Sequence, residues 1–375
     1  MTKLAEKPAE KKTDKTIDPW GAELPEDYTK IVKDFGLEKF DADSFPNPNR
    51  LMRRGVVFAG RDLKVIAKAI HEKKPFYTLT GLMPSNDQIH LGNKMVVENL
   101  RYFQDHGAET FILVADLECA ATRGISIEEG RKRAMEFHIP AYIALGLDPK
   151  KTTVYFQSQN MDVVRLGYSF AQKITLNEFR AIYGRADPGR IMAALTQAGD
   201  ILFPQLKHRM PGIIPVGIDQ DPHMRLTRDI VARTKSMKFI PPSSIYHKYT
   251  PALDGDLKMS KSKADKSISL PEDITIVKKK IMRALTGGRA TIEEQRRLGA
   301  EVEKDMVFEL LKLHLVEDDD ELQEIYDKYK SGEMLSGELK QLACEKMEKF
   351  MNDFNHKLEK ARKEISHVKI LTFNE

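Results

Sequence analysis

The chain has 375 residues, 41% of them hydrophobic and 31% charged, with a formal net charge of +4. That length can bury two or three domain-sized cores, and the composition excludes a disordered or fibrous chain. No apolar run reaches the length of a membrane-spanning helix, and two cysteines, Cys119 and Cys344, cannot build a disulfide framework or a thiolate zinc site.

The near-balanced charge permits a nucleic-acid partner without demanding one, so any basic surface must be local. Residues 1–16 mix Lys, Glu, Ala and Thr with almost nothing to bury, and a disordered tail is expected there. They hold no apolar segment of the secretory kind, so a cytoplasmic chain is expected. Residues 17–75 read as a small appended N-terminal segment. A Pro/Asn turn cluster at 45–50 precedes a strand with turns over Arg53–Leu63, then a helix to about Lys73.

From residue 76 strands and helices alternate. Phe76–Leu79 is a short apolar run ending in Thr80-Gly81, a buried-strand signal. A helix starts near Gly92, with Val96, Leu100 and Phe103 on one face and Gly107 as its stop. Strands are expected at 111–114, 154–157 and 213–216. Helices are expected from Ser126 to about Gly146, near 162–173, and over 189–203. Asp221-Pro222 reads as the N-cap and first residue of another helix. This order predicts an α/β, doubly wound, Rossmann-type parallel sheet over 76–270, with a helical insertion at about 118–190. After Pro271 only helical patterns remain, so 271–375 is expected to form an all-helical domain. Its stripe Ala343, Met347, Phe350, Phe354 and Leu358 has the spacing of a bundle core. The acidic run 317–320 reads as a solvated loop and helix start rather than a metal site.

Three strings carry chemistry. Thr80–Ser85 and His90-Leu91-Gly92-Asn93 lie between a strand's end and a helix's start, where backbone N–H groups favour an anion. Gly92 lets a purine approach, and His90 and Asn93 can both donate to phosphate oxygens. The plain alternative is a surface turn with an incidental histidine. Lys258-Met259-Ser260-Lys261-Ser262 puts two lysines among hydroxyls, a cationic clamp suited to a leaving pyrophosphate, although such strings are usually solvated surface. Gln197 and Asp200 share one face of an apolar helix, where an acid is otherwise a paired structural group.

Residues 90–93 resemble the HIGH signature of class I aminoacyl-tRNA synthetases, and 258–262 match their KMSKS signature letter for letter. Gly217-Ile218-Asp219-Gln220 and Leu226-Thr227-Arg228-Asp229 resemble strings of the tryptophanyl family, where tyrosyl enzymes differ. Asp18-Pro19-Trp20, Asp27-Tyr28, Met83-Pro84-Ser85 and Lys94–Val97 resemble its archaeal and eukaryotic branch. The resemblance covers about residues 17–375.

It implies ATP-dependent activation of L-tryptophan, with Mg²⁺ on the phosphates, and transfer to tRNA(Trp) by a homodimer. It implies ATP contacts from Gly81, Pro84, Ser85, His90, Gly92, Asn93 and Lys258–Ser262, with His90, Asn93, Lys258 and Lys261 catalytic. Tryptophan would meet Gly81, Glu118, Gln197, Asp200 and Gln220, with Asp200 accepting the indole N–H. No dedicated metal ligands are implied, and 271–375 would bind the anticodon, with Lys278, Lys279, Lys280 and Arg283 on tRNA phosphates or simply solvated. Three departures stand out: Asn93 ends the first signature in place of His, and Leu79 and Leu113 replace a Tyr and a Gln of the eukaryotic branch. The last two shift indole recognition onto Asp200. The rival readings are a tyrosyl-tRNA synthetase, a non-catalytic RNA-binding paralogue and a small-molecule nucleotidylyltransferase.

Overall fold

The computed structural model describes residues 27–259 and 264–373. The tail at 1–16, Asp18-Pro19-Trp20, Ser260, Lys261 and Ser262 lie outside the described residues. Ten strands are described: β1 (Glu38–Lys39), β2 (Val57–Arg61), β3 (Tyr77–Leu82), β4 (Ile89–His90), β5 (Glu109–Val114), β6 (Thr152–Phe156), β7 (Gly212–Gly217), β8 (Ser243–His247), β9 (Ser269–Leu270) and β10 (Lys369–Ile370). Eight of them form one sheet in the order β1-β2-β8-β7-β3-β5-β6-β10. The run from β8 to β10 is parallel, while β1 and β2 join antiparallel at one edge. The central strands are rich in β-branched and aromatic residues and almost continuously buried, as a sheet covered on both faces requires.

The chain winds from β3 outward through β5 to β6, then returns to place β7 on the other side of β3. The order therefore reverses between β3 and β7, the point at which open α/β sheets bind ligands. These two strands pair only at Tyr77↔Gly212 and Thr78↔Ile213, whereas β3 and β5 pair over six rungs. Beyond Thr78 the two strands no longer pair, and it is between such diverging carboxyl ends that open α/β sheets place their ligand crevice. Gly212 permits the one close approach: a Cβ there would lie 2.0 Å from Cζ of Tyr77. The Tyr77 hydroxyl donates to the Ile201 carbonyl at 2.7 Å, tying β3 to the helix Pro188–Leu202.

Several elements differ from the sequence reading. Strand β8, the helices Asp116–Arg123 and Leu176–Tyr183, and the two-residue strands β4, β9 and β10 were not expected. A two-residue strand is too short to show a period, and β10 places one strand after residue 271. The expected helix from Ser126 to Gly146 is three pieces: Ile127–Arg133, a wider π turn over Ala134–His138, and Ile139–Ala144. Pro140 causes this. It lacks an N–H and its ring crowds the carbonyl four residues back. That carbonyl, of Glu136, instead accepts from Nε of Arg362 at 3.3 Å. Asp221 is not an N-cap. Gln220 holds that position at the end of a 3₁₀ turn, and Asp221 is the first helical residue. Its buried carboxylate is drawn to Arg61 (2.9 Å), Arg225 (3.0 Å) and the Tyr246 hydroxyl (2.5 Å).

The long helix Ser336–Glu364 buries Ala343, Met347, Phe354 and Leu358 along one stripe, with Phe350 half-buried. It packs on Ile139–Ala144 and Ile274–Arg283, in an apolar core continuous with Ile112 and Val114 of β5. Asp318 caps the helix Asp319–Ser331, and Asp319 pairs with Arg53 and Arg54. Among the described residues no helix is long and apolar enough to cross a membrane. Because the Tyr77 ring occupies the Cβ position of Gly212, Gly212→Ala should overpack the strand crossing and destabilise the chain by about 1–3 kcal/mol in urea unfolding. An unchanged midpoint would show that the crossing relaxes freely.

Candidate active site

The crevice is walled on one side by β3 and the loop that follows it. His90 caps the helix Leu91–Asp105: its Nδ1 accepts from the Gly92 N–H at 3.0 Å, and its own N–H donates to Oδ1 of Asn93 at 3.1 Å. With Nδ1 accepting, the neutral ring carries its proton on Nε2. A Cβ on Gly92 would stand 2.8 Å from Cε1 of His90. The glycine thus clears space for the folded-back ring, a reason found in the chain itself. Asn93 is also hydrogen-bonded to the buried Tyr142 hydroxyl, whose pKa burial pushes up to about 12. Its side chain therefore helps fix the helix start.

The loop before His90 is clamped by the insertion. Arg133 donates to the Ser85 carbonyl at 2.9 Å, and His138 to that of Asn86 at 2.7 Å. Pro84 is buried and would be in ordinary contact with a Cβ on Gly130. Gly81, at the tip of β3, is exposed.

Of the second signature string, Lys258 and Met259 are described, and both are held. Nζ of Lys258 lies 2.9 Å from Asp219 and over the Tyr249 ring, 4.9 Å from its centroid. The Met259 side chain is buried, and its N–H donates to the Thr250 carbonyl at 2.8 Å. Met259 thus anchors the loop rather than lining the crevice. Past the undescribed 260–263, β9 pairs antiparallel with β4, setting Ser269 opposite His90. The segment that follows the second string thus pairs with the strand that opens the first.

The third group lies on the face of β5 and β6 covered by Pro188–Leu202. Asp200 is fully buried. Its Oδ1 accepts from the Tyr155 hydroxyl at 3.0 Å and its Oδ2 from Nε2 of Gln157 at 2.6 Å. Burial raises its pKa to about 7; those two hydrogen bonds oppose the shift, and the Glu118 and Asp116 carboxylates add to it. Desolvation, with Asp200 beside it, holds the Tyr155 hydroxyl neutral. Leu79 and Leu113 are buried in the same apolar cluster as Tyr155. Gln197, Gln220 and Glu118 are half-buried.

A family model described as tRNA synthetases class I (W and Y) matches residues 71–352. The tryptophan--tRNA ligase of Hyperthermus butylicus is 42% identical over 363 residues, covering 92% of this chain and 95% of the relative. That of Methanocaldococcus jannaschii is 41% identical, covering 95% and 98%. The crystal structure of tryptophanyl-tRNA synthetase from Aeropyrum pernix superposes with a TM-score of 0.86 at 41% identity, covering 96% of this chain and all of that one. The chain belongs to the tryptophanyl family of class I tRNA synthetases.

Within this tryptophanyl-synthetase frame, the structure gathers His90, Gly92 and Asn93 at one helix start, and Lys258 beside Asp219, Gln220's neighbour. Asp200 sits apart from these, beneath the sheet's carboxyl edge. Sequence reasoning missed Tyr155, Gln157, Tyr77 and Asp219. One signal was available for Gln157: a polar residue just past the carboxyl end of a parallel strand. Of the basic residues expected to face tRNA, Lys278 pairs with Glu348, and Lys280 with Glu272 and the Ser267 carbonyl. Lys279 and Arg283 remain exposed. Since a methyl at 92 must push the His90 ring aside, Gly92→Ala should cost about 10²-fold in ATP–pyrophosphate exchange with little change in melting temperature. Full activity would remove the ring's seating from the argument.

Proposed function

We propose that the protein activates L-tryptophan with Mg²⁺-ATP and transfers it to tRNA(Trp). The observation that carries this reading is 41–43% identity with three tryptophan--tRNA ligases along more than nine-tenths of the chain. The crevice at the strand switch point supports it. A tryptophan carboxylate oxygen attacks the α-phosphorus, the bond to the β-phosphate oxygen breaks, and pyrophosphate leaves. A terminal ribose hydroxyl of tRNA, the 2′-OH in this class, then attacks the adenylate carbonyl and AMP leaves.

Positioning and charge stabilisation do most of this work. In this reading Nε2–H of His90 and the N–H groups at the helix start meet ATP phosphates, with Asn93 and Gly92 shaping that turn. Gly81, Pro84 and Ser85 border the nucleotide. Lys258 leaves Asp219 to follow the pyrophosphate, together with Lys261 and the hydroxyls of Ser260 and Ser262. Mg²⁺ would be carried by the nucleotide's own oxygens, where it neutralises charge. Gln197, Gln220 and Glu118 would surround the tryptophan amino acid group, and Asp200 the indole end.

Residues 271–373 would meet the anticodon, with Lys279 and Arg283 on phosphates, and tRNA affinity would fall with salt. The exposed apolar side chains Met161, Tyr168, Leu176 and Met192 support a homodimer built through the helices of the insertion and its border. A cytoplasmic location goes with tRNA charging.

The test is ATP–pyrophosphate exchange with tryptophan, tyrosine and phenylalanine side by side, followed by charging of tRNA. Exchange with tryptophan alone is expected; exchange with tyrosine would overturn the reading. The pKa of Asp200, raised to about 7, adds a pH signature. As the pH falls through 7 the acid takes up a proton, one of its oxygens becomes a donor, and it can no longer serve both of its hydrogen-bond donors as acceptor. The KM for tryptophan should therefore rise about tenfold per pH unit below 7 and flatten above it, and Asp200→Asn should abolish the slope. A flat profile in the parent enzyme would show that Asp200 does not titrate in this range.

A further inference from the structure

We infer that Gln157 is the residue that recognises the indole N–H, through its side-chain carbonyl Oε1, and that Asp200 and Tyr155 position it. The inference rests on the tryptophan reading above and names the group that discriminates within it.

The indole-facing surface offers few acceptors. Leu79 and Leu113, buried at 2% and 6% exposure, are hydrocarbon. Gly81 stands on the same rung as Leu113, and Leu113 on the same rung as Tyr155, so these three neighbour one another across β3, β5 and β6. The Tyr155 hydroxyl donates to Asp200. Asp200 already accepts one hydrogen bond on each oxygen, from Tyr155 and from Gln157. Gln157 differs from all of these. Its side chain is 3% exposed, its Nε2 is spent on Asp200, and its Oε1 is buried with no hydrogen-bond partner among the described residues. A buried acceptor left unpaired is costly, and native interiors rarely keep one without a use.

The orientation of this amide follows from chemistry. Above pH 7, where Asp200 is ionised, its carboxylate only accepts, so it faces the NH₂ end and turns Oε1 away from itself. The backbone cannot swing to compensate. The turn Gln157–Gln159 starts where β6 ends, and buried Asp116 pins the next residue, accepting from the Ser158 N–H at 2.9 Å and from its hydroxyl. Gln157 is thus held between two buried carboxylates at the sheet's carboxyl edge, presenting one neutral acceptor. The ligand class this suits is a fused aromatic ring bearing a neutral N–H. A ring of the same shape without that hydrogen would leave Oε1 unpaired again and be rejected.

The experiment is ATP–pyrophosphate exchange with tryptophan and with its benzothienyl analogue, in which sulfur replaces the ring N–H. Gln157→Met keeps length and removes the acceptor. It should lower kcat/KM for tryptophan roughly 10- to 100-fold, nearly all in KM, while leaving the analogue within about threefold, so that the preference for tryptophan collapses. Asp200→Asn should weaken the preference less, because the Gln157 carbonyl is still present. An unchanged tryptophan-to-analogue ratio in Gln157→Met overturns the inference, as does a ratio lost in Asp200→Asn but kept in Gln157→Met, which would make the carboxylate the direct acceptor. Should Gln157→Met fail to fold, Gln157→Asn decides, since its shorter amide cannot reach and must show the same collapse. Parent enzyme that exchanges with tryptophan separates failure of this inference from failure of the proposed function.

Discussion

Two hydrogen-bonded rungs between β3 and β7, followed by divergence, are the constraint on which the rest depends. The Tyr77 ring lies where a side chain at 212 would be, so the strands touch only because residue 212 is glycine. From that crossing the carboxyl ends part, and β3 leads to the His90 turn while β7 leads to Asp219 and Gln220. The Tyr77 hydroxyl, bonded to Ile201, also sets the height of the helix that carries Gln197 and Asp200. One aromatic side chain therefore joins the strand that leads to His90 to the helix that carries Asp200.

Buried carboxylates then lock the elements around this opening. Asp221 joins Arg61 of β2, Tyr246 of β8 and its own helix. Asp116 binds the turn after β6, and Asp200 binds Tyr155 and Gln157. Taking a charge out of water is expensive, and each acid is held by several donors that offset the cost. Such networks tolerate little rearrangement. They hold the Asp200 end of the opening, while the described residues flanking 260–263 are held by the Lys258–Asp219 ion pair and the buried Met259 on one side and by a two-residue sheet on the other. A part-exposed pair contributes little, of order 0–1 kcal/mol.

Much of this was legible in the chain. Apolar runs marked β3, β5, β6 and β7, and their alternation with helices marked a parallel, doubly wound sheet. The His90 and Lys258 strings were readable because turns and cation loops carry their chemistry in adjacent residues. Strand β8 escaped because polar Ser243-Ser244 opens it; both are buried, Ser243 with its hydroxyl donating to the carbonyl of Asp62, a partner far away in sequence. The break before Pro140 was visible as a proline, but its consequence, an accepting Glu136 carbonyl met by Arg362, joins residues far apart in sequence.

Sequence by itself determined the class of fold and the two signature strings, and it singled out an acid on an apolar helix, Asp200, because each depends on local order or spacing. Only the tertiary structure decided what those residues face. Gly92 makes room for a ring of this chain, Met259 is core, and Asp221 is a cross-link rather than a cap. Asp200 accepts on both oxygens, and Oε1 of its partner Gln157 is buried without a hydrogen-bond partner among the described residues. The physical reason is that hydrogen-bond partnership is a property of three-dimensional neighbours. Tyr155, Gln157 and Asp200 lie on separate elements, and no periodicity records which of two buried polar atoms has found its donor.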